Sequence, residues 1–227
     1  MRKVKFVNDE YYHIYNRGVD KRIIFEDQSD LDRFFLSMNE FNVFHPIGSI
    51  YLSNVNKRLL RCPAPKTPKS EKLVELICYC LNPNHYHFLI QQLVERGIER
   101  FMHKLDGGYS KYFNKKYKRT GSLFEGRFRA IHIDSEAYLL HLSAYINLNY
   151  KVHNLKKFGG SATKFFQSSW EEYLGLNQEK FCQKDIILSQ FDSIENYKKF
   201  AEESLESIKE IKGIKNFLLE QENEGAY

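Results

Sequence analysis

The sequence predicts an α+β protein, a ferredoxin-like antiparallel sheet with helices on one face, followed by a helical C-terminal extension. Strand and helix patterns follow the order β-α-β-β-α-β, which is typical of the ferredoxin-like fold. The two central strands are separated only by the turn Asn82-Pro83-Asn84. Because the later residues have mostly helical patterns, we expect an α+β domain at 1–155 and the extension at 156–227.

The first strand and helix have clear boundaries. Residues 11–16 are rich in β-forming side chains and end at the turn signal Arg17-Gly18. Ser29, with Asp32 three residues later, is typical of a helix N-terminus, and apolar residues follow at helical spacing as far as Phe41. Residues 44–70 hold four of the five prolines and are expected to form an irregular loop, with a short strand near residues 50–52.

The next elements complete the pattern. Residues 73–81 and 85–91 predict a hairpin, and a second helix is expected at about 98–116, weakened by Gly107-Gly108. A strand over 128–133 precedes a third helix over about 136–147, which Asp134 or Ser135 caps. Cys78 and Cys80 share one strand face and are expected to be buried structural residues rather than disulfide partners.

Composition and charge limit the classes of protein that this sequence is expected to encode. The N-terminus does not resemble a secretory signal, and no run of about 18 apolar residues suggests a membrane span, so we expect a cytoplasmic protein without membrane contacts. Residues 96–131 have a net charge of +7, and residues 186–227 have a net charge of −4. The basic segment indicates either a polyanionic partner or a solvated helix face.

His85-Tyr86-His87 is the first candidate for chemistry. Alternating side chains place both imidazoles on one face of a strand, with Cα atoms roughly 6–7 Å apart, so they could share one metal ion. The alternative is two polar residues on a solvated face. On the third helix, Tyr138 and His141 are three residues apart and therefore neighbours, whereas Tyr145 is expected to belong to the core.

A phenol beside a metal ion suggests phosphoryl chemistry. Its pKa of about 10 makes it a poor nucleophile at neutral pH, and a divalent cation would orient a phosphodiester and withdraw charge from it. Attack on DNA would leave a 5′-phosphotyrosine and a free 3′-hydroxyl. The retained bond energy would allow rejoining without ATP, for which the sequence has no phosphate-binding loop.

The sequence resembles the single-tyrosine HUH transposases, specifically the REP-associated tyrosine transposase group. Four segments in order carry this resemblance, which covers about residues 11–155: Tyr12–Gly18, Leu81–His87, Arg119–Arg129, and Asp134–Leu140 with Tyr145–Asn149 closing the helix. One departure is Asn149-Tyr150, where the family usually has Asn-Pro.

The resemblance implies an enzyme, a tyrosine transposase that cuts and rejoins single-stranded DNA at hairpins with Mg²⁺ or Mn²⁺ as cofactor. By motif position, His85 and His87 would be metal ligands and Tyr138 the nucleophile. The third ligand would follow the tyrosine by about one turn, where His141 stands. Related enzymes include homodimers that exchange active-site helices and monomers that do not.

The basic segment also contains the candidate DNA contacts. Basic and aromatic residues are interleaved over 109–129, as in binders of single strands. The expected phosphate contacts are Arg17, Lys115, Lys116, Lys118, Arg119, Arg127 and Arg129, with Lys21 and Arg22 as secondary candidates. His13 could approach the site, although a structural role is favoured, and Tyr112 and Phe113 are expected in the core.

Three alternatives remain open. The chain could be a replication initiator or relaxase of the same superfamily, although those are usually larger. It could be a domesticated, non-catalytic protein that binds hairpin DNA. A zinc hydrolase that uses His85, His87 and a cysteine is disfavoured because Cys78 and Cys80 lack the usual ligand spacing.

Overall fold

One antiparallel sheet of five strands organises the computed structural model of the chain, which describes residues 4–44, 50, 72–152, 165–177 and 181–207. The strands are β1 (Tyr11–Arg17), β2 (Val74–Asn82), β3 (His85–Gln92), β4 (Arg129–Ile133) and β5 (Gln167–Ser168). Their spatial order is β4-β1-β3-β2-β5. The first four strands have the ferredoxin-like arrangement, which confirms the predicted fold class.

Two helices cover one face of this sheet. They are α1 (Gln28–Glu40) and α2 (Gly97–Lys116), and aromatic side chains join them to β3, with the Phe34 ring 5.4 Å from that of Tyr86. The second helix runs unbroken through its two glycines. A Cβ at Gly108 would lie only 2.7 Å from the Phe41 ring, so the missing side chain lets α1 and α2 approach closely.

The start of α1 corrects the sequence prediction. The N-cap is Asp27, whose carboxylate accepts a hydrogen bond of 3.1 Å from the backbone of Asp30, so the expected cap at Ser29 is wrong. Ser29 lies inside the helix, and its hydroxyl donates to the same carboxylate. A carboxylate is also favoured here by the partial positive charge of the helix N-terminus.

The opposite face of the sheet carries α3 (Glu136–Asn147), which packs across β2 and β3. Ser135 caps this helix by accepting from the backbone of Tyr138, and is thus the correct one of the two caps that the sequence offered, Asp134 and Ser135. Shorter helices follow at α4 (Asn149–Val152), α5 (Trp170–Tyr173) and α6 (Asp185–Leu188), and α7 covers residues 194–207.

The described part of the C-terminal extension shares this core. The buried Tyr197 hydroxyl accepts from Asn147 Nδ2 at 2.9 Å and contacts the Ser143 hydroxyl at 3.2 Å. Asn147 in turn accepts from Ser169, whose hydroxyl accepts from the backbone of Tyr79 in β2. Hydrogen bonds therefore join α7, α3 and β2 in sequence, and the boundary at residue 155 stays a prediction.

Three further expectations from the sequence concern the cysteines, the proline-rich loop and membrane-spanning segments. Cys78, Cys80 and Cys182 are buried free thiols, as expected for the strand pair. The irregular loop and short strand expected near residues 44–70 fall almost entirely outside the described residues. Within the described ranges, no helix combines the length and the apolar character that crossing a membrane requires.

Replacing Tyr197 with Phe should lower the free energy of unfolding by about 1–3 kcal/mol, because the buried Asn147 amide loses its acceptor. Urea denaturation of the full chain measures this change. Tyr150→Phe, which alters a half-buried tyrosine stacked on Phe166, is the matched control and should change stability less. Equal effects of the two substitutions would contradict the role of the Tyr197 hydroxyl.

Candidate functional site

The polar pocket of this protein lies on the sheet face opposite α1 and α2. Strand alternation directs alternate residues of β1 and β3 to this face, and the register pairs Tyr15 with His87 and Arg17 with His85. The cavity has a volume of about 450 Å³. Its lining residues are Tyr15, Asn16, Arg17, Lys21, Asn84, His85, His87, Glu125, Arg129 and Tyr145.

The His85 ring is held on both sides by asparagines. Its Nδ1 lies 2.6 Å from Asn84 Oδ1, and Asn84 Nδ2 donates to the backbone carbonyl of Lys21. Because that second bond orients the amide, the Asn84 oxygen faces His85 and accepts its Nδ1 proton. The other ring nitrogen, Nε2, lies 3.2 Å from Asn82 Nδ2 and 3.3 Å from Asn149 Oδ1.

His87 is partnered by the histidine of the first strand. His13 Nε2 and His87 Nδ1 are 2.9 Å apart, and both side chains are buried. Burial lowers the pKa of His13 to about 4, so its ring is neutral at pH 7. His13 therefore contacts the histidine pair directly, although it is not among the residues that line the cavity.

The tyrosine that reaches the histidines is Tyr145, not Tyr138. The Tyr145 ring lies 5.7 Å from that of His87 and lines the cavity, and it also packs against the core, as the sequence analysis expected. Tyr138 stands in the first turn of α3, is 36% exposed, and is not among the lining residues. Seven residues separate the two, so they share a helical face, but α3 meets β3 at its second half.

His141 is also placed apart from the histidine pair. Its Nδ1 lies 3.1 Å from the Ser204 hydroxyl, and its ring packs 4.9 Å from that of Phe200. Both partners belong to α7, which packs on this flank of α3. The structure therefore does not bring His141 to His85 and His87, where the sequence analysis expected a third ligand.

The side chain that stands beside His85 instead is Asn149. With its proton on Nδ1, His85 accepts at Nε2 from Asn82 Nδ2, which also donates to Asn149 Oδ1 at 2.8 Å, and the two acceptor atoms lie 3.3 Å apart. Two ligands of one octahedral Mg²⁺ lie about 3 Å apart, so a divalent cation fits this pair of atoms. Asn82 Oδ1 and Asn149 Nδ2, both buried, have no hydrogen-bond partner among the described residues, which marks an incomplete polar site.

The candidate donors for a cation are the imidazoles of His85 and His87 and the amide oxygen of Asn149. In the described part of the chain, no three His, Cys, Asp or Glu side chains are grouped so that they could hold a metal. Two imidazoles and one amide oxygen are compatible with Mg²⁺ or Mn²⁺ and lack the thiolates of a structural zinc site. Burial raises the pKa of Tyr145, which the Asn149 side chain partly offsets, so the phenol is protonated at neutral pH.

Two of the expected phosphate contacts lie at the cavity itself. Arg17 and Arg129 both line it, together with Lys21. Arg17 donates two hydrogen bonds of 2.8 and 3.1 Å to the carboxylate of Glu125. This exposed ion pair orients the guanidinium at the mouth of the cavity.

The remaining expected contacts fall into two groups. Lys115, Lys118 and Arg127 are exposed, whereas Arg119 donates to Asn114 and covers the Phe113 ring. Lys116 contacts the carboxylates of Asp27 and the fully buried Asp30, each at 2.7 Å. Lys116 is thus engaged with internal carboxylates, of which only Asp30 is fully buried, and the structure favours this role over the expected phosphate contact.

The buried carboxylate of Asp106 on α2 is hydrogen-bonded to Asn16, one of the residues that line the pocket. Asp106 accepts from the Tyr86 hydroxyl at 2.7 Å and from Asn16 Nδ2 at 3.2 Å. Burial raises the pKa of Asp106 to about 7, although both hydrogen bonds act in the opposite direction. Asn16 in turn lines the cavity, so this network connects α2 to the site.

Sequence reasoning missed the asparagines of this site. Asn84 directly precedes the histidine pair and Asn149 follows Tyr145 by four residues, about one helical turn. That spacing was visible in the sequence, as was the Tyr145-to-Asn149 segment among the motifs of the resemblance. Only the packing of α3 distinguishes Tyr145 and Asn149 from Tyr138 and His141.

A family model and several solved structures are similar to this chain. Residues 53–149 match the family model described as "Transposase IS200 like". A search of curated proteins gives no match. A solved structure of a REP-associated tyrosine transposase bound to a REP hairpin is 11% identical, covers 77% of this chain and 85% of that one, and has a TM-score of 0.47. The tRNA(His) guanylyltransferase of Saccharomyces cerevisiae is also 11% identical, covers 88% and 74%, and has a TM-score of 0.33.

The match to this family model covers the segment from residue 53 to residue 149 and is in line with the family resemblance that the motifs indicated. This segment includes β2, β3, α2, β4 and α3, and therefore most of the cavity.

Replacing Lys116 with Met should lower the free energy of unfolding by about 1–3 kcal/mol, because the buried Asp30 carboxylate loses its cation but keeps hydrogen bonds from Tyr112, Tyr117 and the backbone of Glu26. Affinity of the folded variant for a single-stranded DNA oligonucleotide should change little. Arg129→Gln is the comparison, and should weaken binding and reduce the salt slope by about 1. Urea denaturation and fluorescence anisotropy over a salt series measure both effects. A loss of affinity in Lys116→Met equal to that of Arg129→Gln, with unchanged stability, would restore Lys116 as a phosphate contact.

Asp106 should make stability depend on pH. Its folded pKa of about 7 lies above the unfolded value of 3.8, so the folded state binds the proton more tightly and stability falls as pH rises between these values. The slope is on the order of 1.4 kcal/mol per pH unit within that window. Asp106→Asn should remove this component, as measured by urea denaturation from pH 4 to pH 8. An identical pH slope in both proteins would show that Asp106 does not titrate there.

Proposed function

We propose that this protein cuts and rejoins single-stranded DNA at hairpin-marked sites through a 5′-phosphotyrosine intermediate, as a metal-dependent tyrosine transposase. The family match supports the class of reaction. The observation that carries the finer proposal is the meeting of a tyrosine, two histidines and an asparagine in one polar cavity.

In this proposal Tyr145 takes the role of nucleophile that the sequence analysis gave to Tyr138. Its ring stands over His87 in the cavity, whereas Tyr138 lies outside the lining residues. His85 and His87 remain the proposed metal ligands, and Asn149 replaces His141 as the third. An amide oxygen is also a more usual partner for Mg²⁺ than a further imidazole.

The chemistry follows from the groups that the cavity holds. The Tyr145 oxygen forms a bond to the phosphorus of the scissile phosphodiester while the bond from phosphorus to the 3′-oxygen breaks. The phenol loses one proton, and the departing 3′-oxygen gains one. A divalent cation, when bound, would neutralise charge on the phosphate oxygens and orient them. Rejoining is the same step in reverse with a different 3′-hydroxyl.

The charged rim accounts for binding of the strand. Arg17, Lys21 and Arg129 surround the cavity and can pair with backbone phosphates on either side of the reacting one. Lys118 and Arg127 are exposed on the loop that precedes β4 and extend the positive surface. The preference for hairpin DNA follows from the four motifs of the resemblance, which belong to enzymes that act on such sites.

A non-catalytic hairpin-binding protein is the second candidate. It would use the same basic surface without forming a covalent bond, and its affinity for folded single strands would be unchanged by chelator or by His87→Ala. The meeting of His85, His87 and Tyr145 in one cavity, with Asn149 Oδ1 beside His85, favours the catalytic alternative, because a site that only binds DNA has no need of such a set.

Tyr145→Phe should abolish the covalent adduct that the purified full chain forms with a hairpin oligonucleotide in Mn²⁺. Tyr138→Phe, a matched removal of a hydroxyl from the same helix face, should retain most of it. Denaturing gel electrophoresis and mass spectrometry of the linked peptide identify the nucleophile directly.

The possible results distinguish Tyr145 from Tyr138 as the nucleophile, and the catalytic function from the non-catalytic one. An adduct of full yield from Tyr145→Phe that disappears in Tyr138→Phe would reinstate the sequence-based assignment. Hairpin binding without any adduct in the parent protein, unaffected by EDTA, would establish the non-catalytic function. Loss of the adduct in His87→Ala with retained hairpin binding is expected if the histidine pair holds the ion.

A further inference from the structure

The two histidines of the cavity have matching arrangements at their Nδ1 atoms. The Nδ1 of His85 faces Asn84 Oδ1 at 2.6 Å, and the Nδ1 of His87 faces His13 Nε2 at 2.9 Å. Asn84 is oriented by its own bond to the carbonyl of Lys21, so its oxygen can only accept. His85 is therefore fixed with its proton on Nδ1 and its lone pair on Nε2.

At His87 either ring could supply the shared proton. If His13 donated, the His87 proton would be on Nε2, and that nitrogen would have no lone pair for a cation. If His87 donates, its Nε2 carries a lone pair, as that of His85 does. A histidine that binds a metal through one nitrogen commonly donates the other N–H to a neighbouring acceptor, which fixes the tautomer and the ring orientation.

Resting on the proposed function, we infer that His13 is a positioning residue for the metal site, and that its Nε2 accepts the Nδ1 proton of His87 so that His87 Nε2 can bind the cation. The geometry supports this assignment beyond the single hydrogen bond. His13 is 6% exposed, its ring stacks 5.1 Å from that of His87, and the Tyr145 ring packs against both. A ring held on this many sides has little freedom to turn.

The same packing explains why the acceptor comes from β1. His13 is paired in register with Leu89, so its side chain points to the same sheet face as His87, two residues along β3. An acceptor on a central strand is set by the sheet itself and does not depend on a loop. The role of His13 is to orient a ligand, and it touches neither the DNA nor the cation.

Substitutions at position 13 test this role through metal binding without DNA. His13→Leu should weaken the affinity for Mn²⁺ by about 10- to 100-fold, as measured by electron paramagnetic resonance of free Mn²⁺ or by calorimetry. His13→Gln, whose amide oxygen can occupy the position of Nε2, should restore affinity to within a few-fold of the parent. His132→Leu is the matched control on β4, where that histidine pairs with Glu10, and should leave the affinity unchanged.

A second measurement reads the tautomer itself. Long-range proton–nitrogen correlation spectra of the parent protein labelled with ¹⁵N-histidine should show His85 and His87 protonated at Nδ1 before any metal is added. His87 with its proton on Nε2 would overturn the inference, as would equal Mn²⁺ affinity of His13→Leu and the parent, or no Mn²⁺ binding by the parent. If Mn²⁺ binding depends on position 13 but no covalent DNA adduct forms, the proposed function fails and this role of His13 stands.

Discussion

The antiparallel pairing of β1 with β3 is the constraint on which the site depends. Strand alternation puts Tyr15, Arg17, His85 and His87 on one face, and the register sets which of them are neighbours. A shift by one residue would turn both histidines toward Phe34 and α1 and would place Tyr86 in the cavity. The apolar side chains on the opposite face therefore hold the polar site in register, because their burial strongly favours one pairing.

The second requirement is the position of α3 across β2 and β3. This helix carries Tyr145 to His87, and Asn149 follows it to reach His85. The C-terminal extension contributes through Tyr197, which contacts Ser143 and Asn147 on the flank of α3. A region that the sequence marks only as helical is thus part of the framework that orients the proposed nucleophile.

The local elements could be predicted well because they depend on neighbouring residues. The hairpin, the helix boundaries of α2 and α3, and the Ser135 cap all follow from periodicity and short-range hydrogen bonding. The cap of α1 was misplaced because Asp27 and Ser29 are both residue types that favour a helix N-terminus. Lys116 was expected at DNA phosphates because the sequence does not show its contacts with Asp27 and Asp30, which lie far away in the chain.

The sequence by itself determined the fold class, the family resemblance and the placement of the histidine pair on one strand face, since these rest on local patterns and ordered motifs. Only the tertiary structure decided which tyrosine meets those histidines. Tyr138 and Tyr145 lie on one helical face, and helical periodicity cannot say which turn of α3 crosses β3. The tertiary structure also decided that His141 contacts α7 and that His13 contacts His87, because both contacts join residues more than 60 positions apart in the chain.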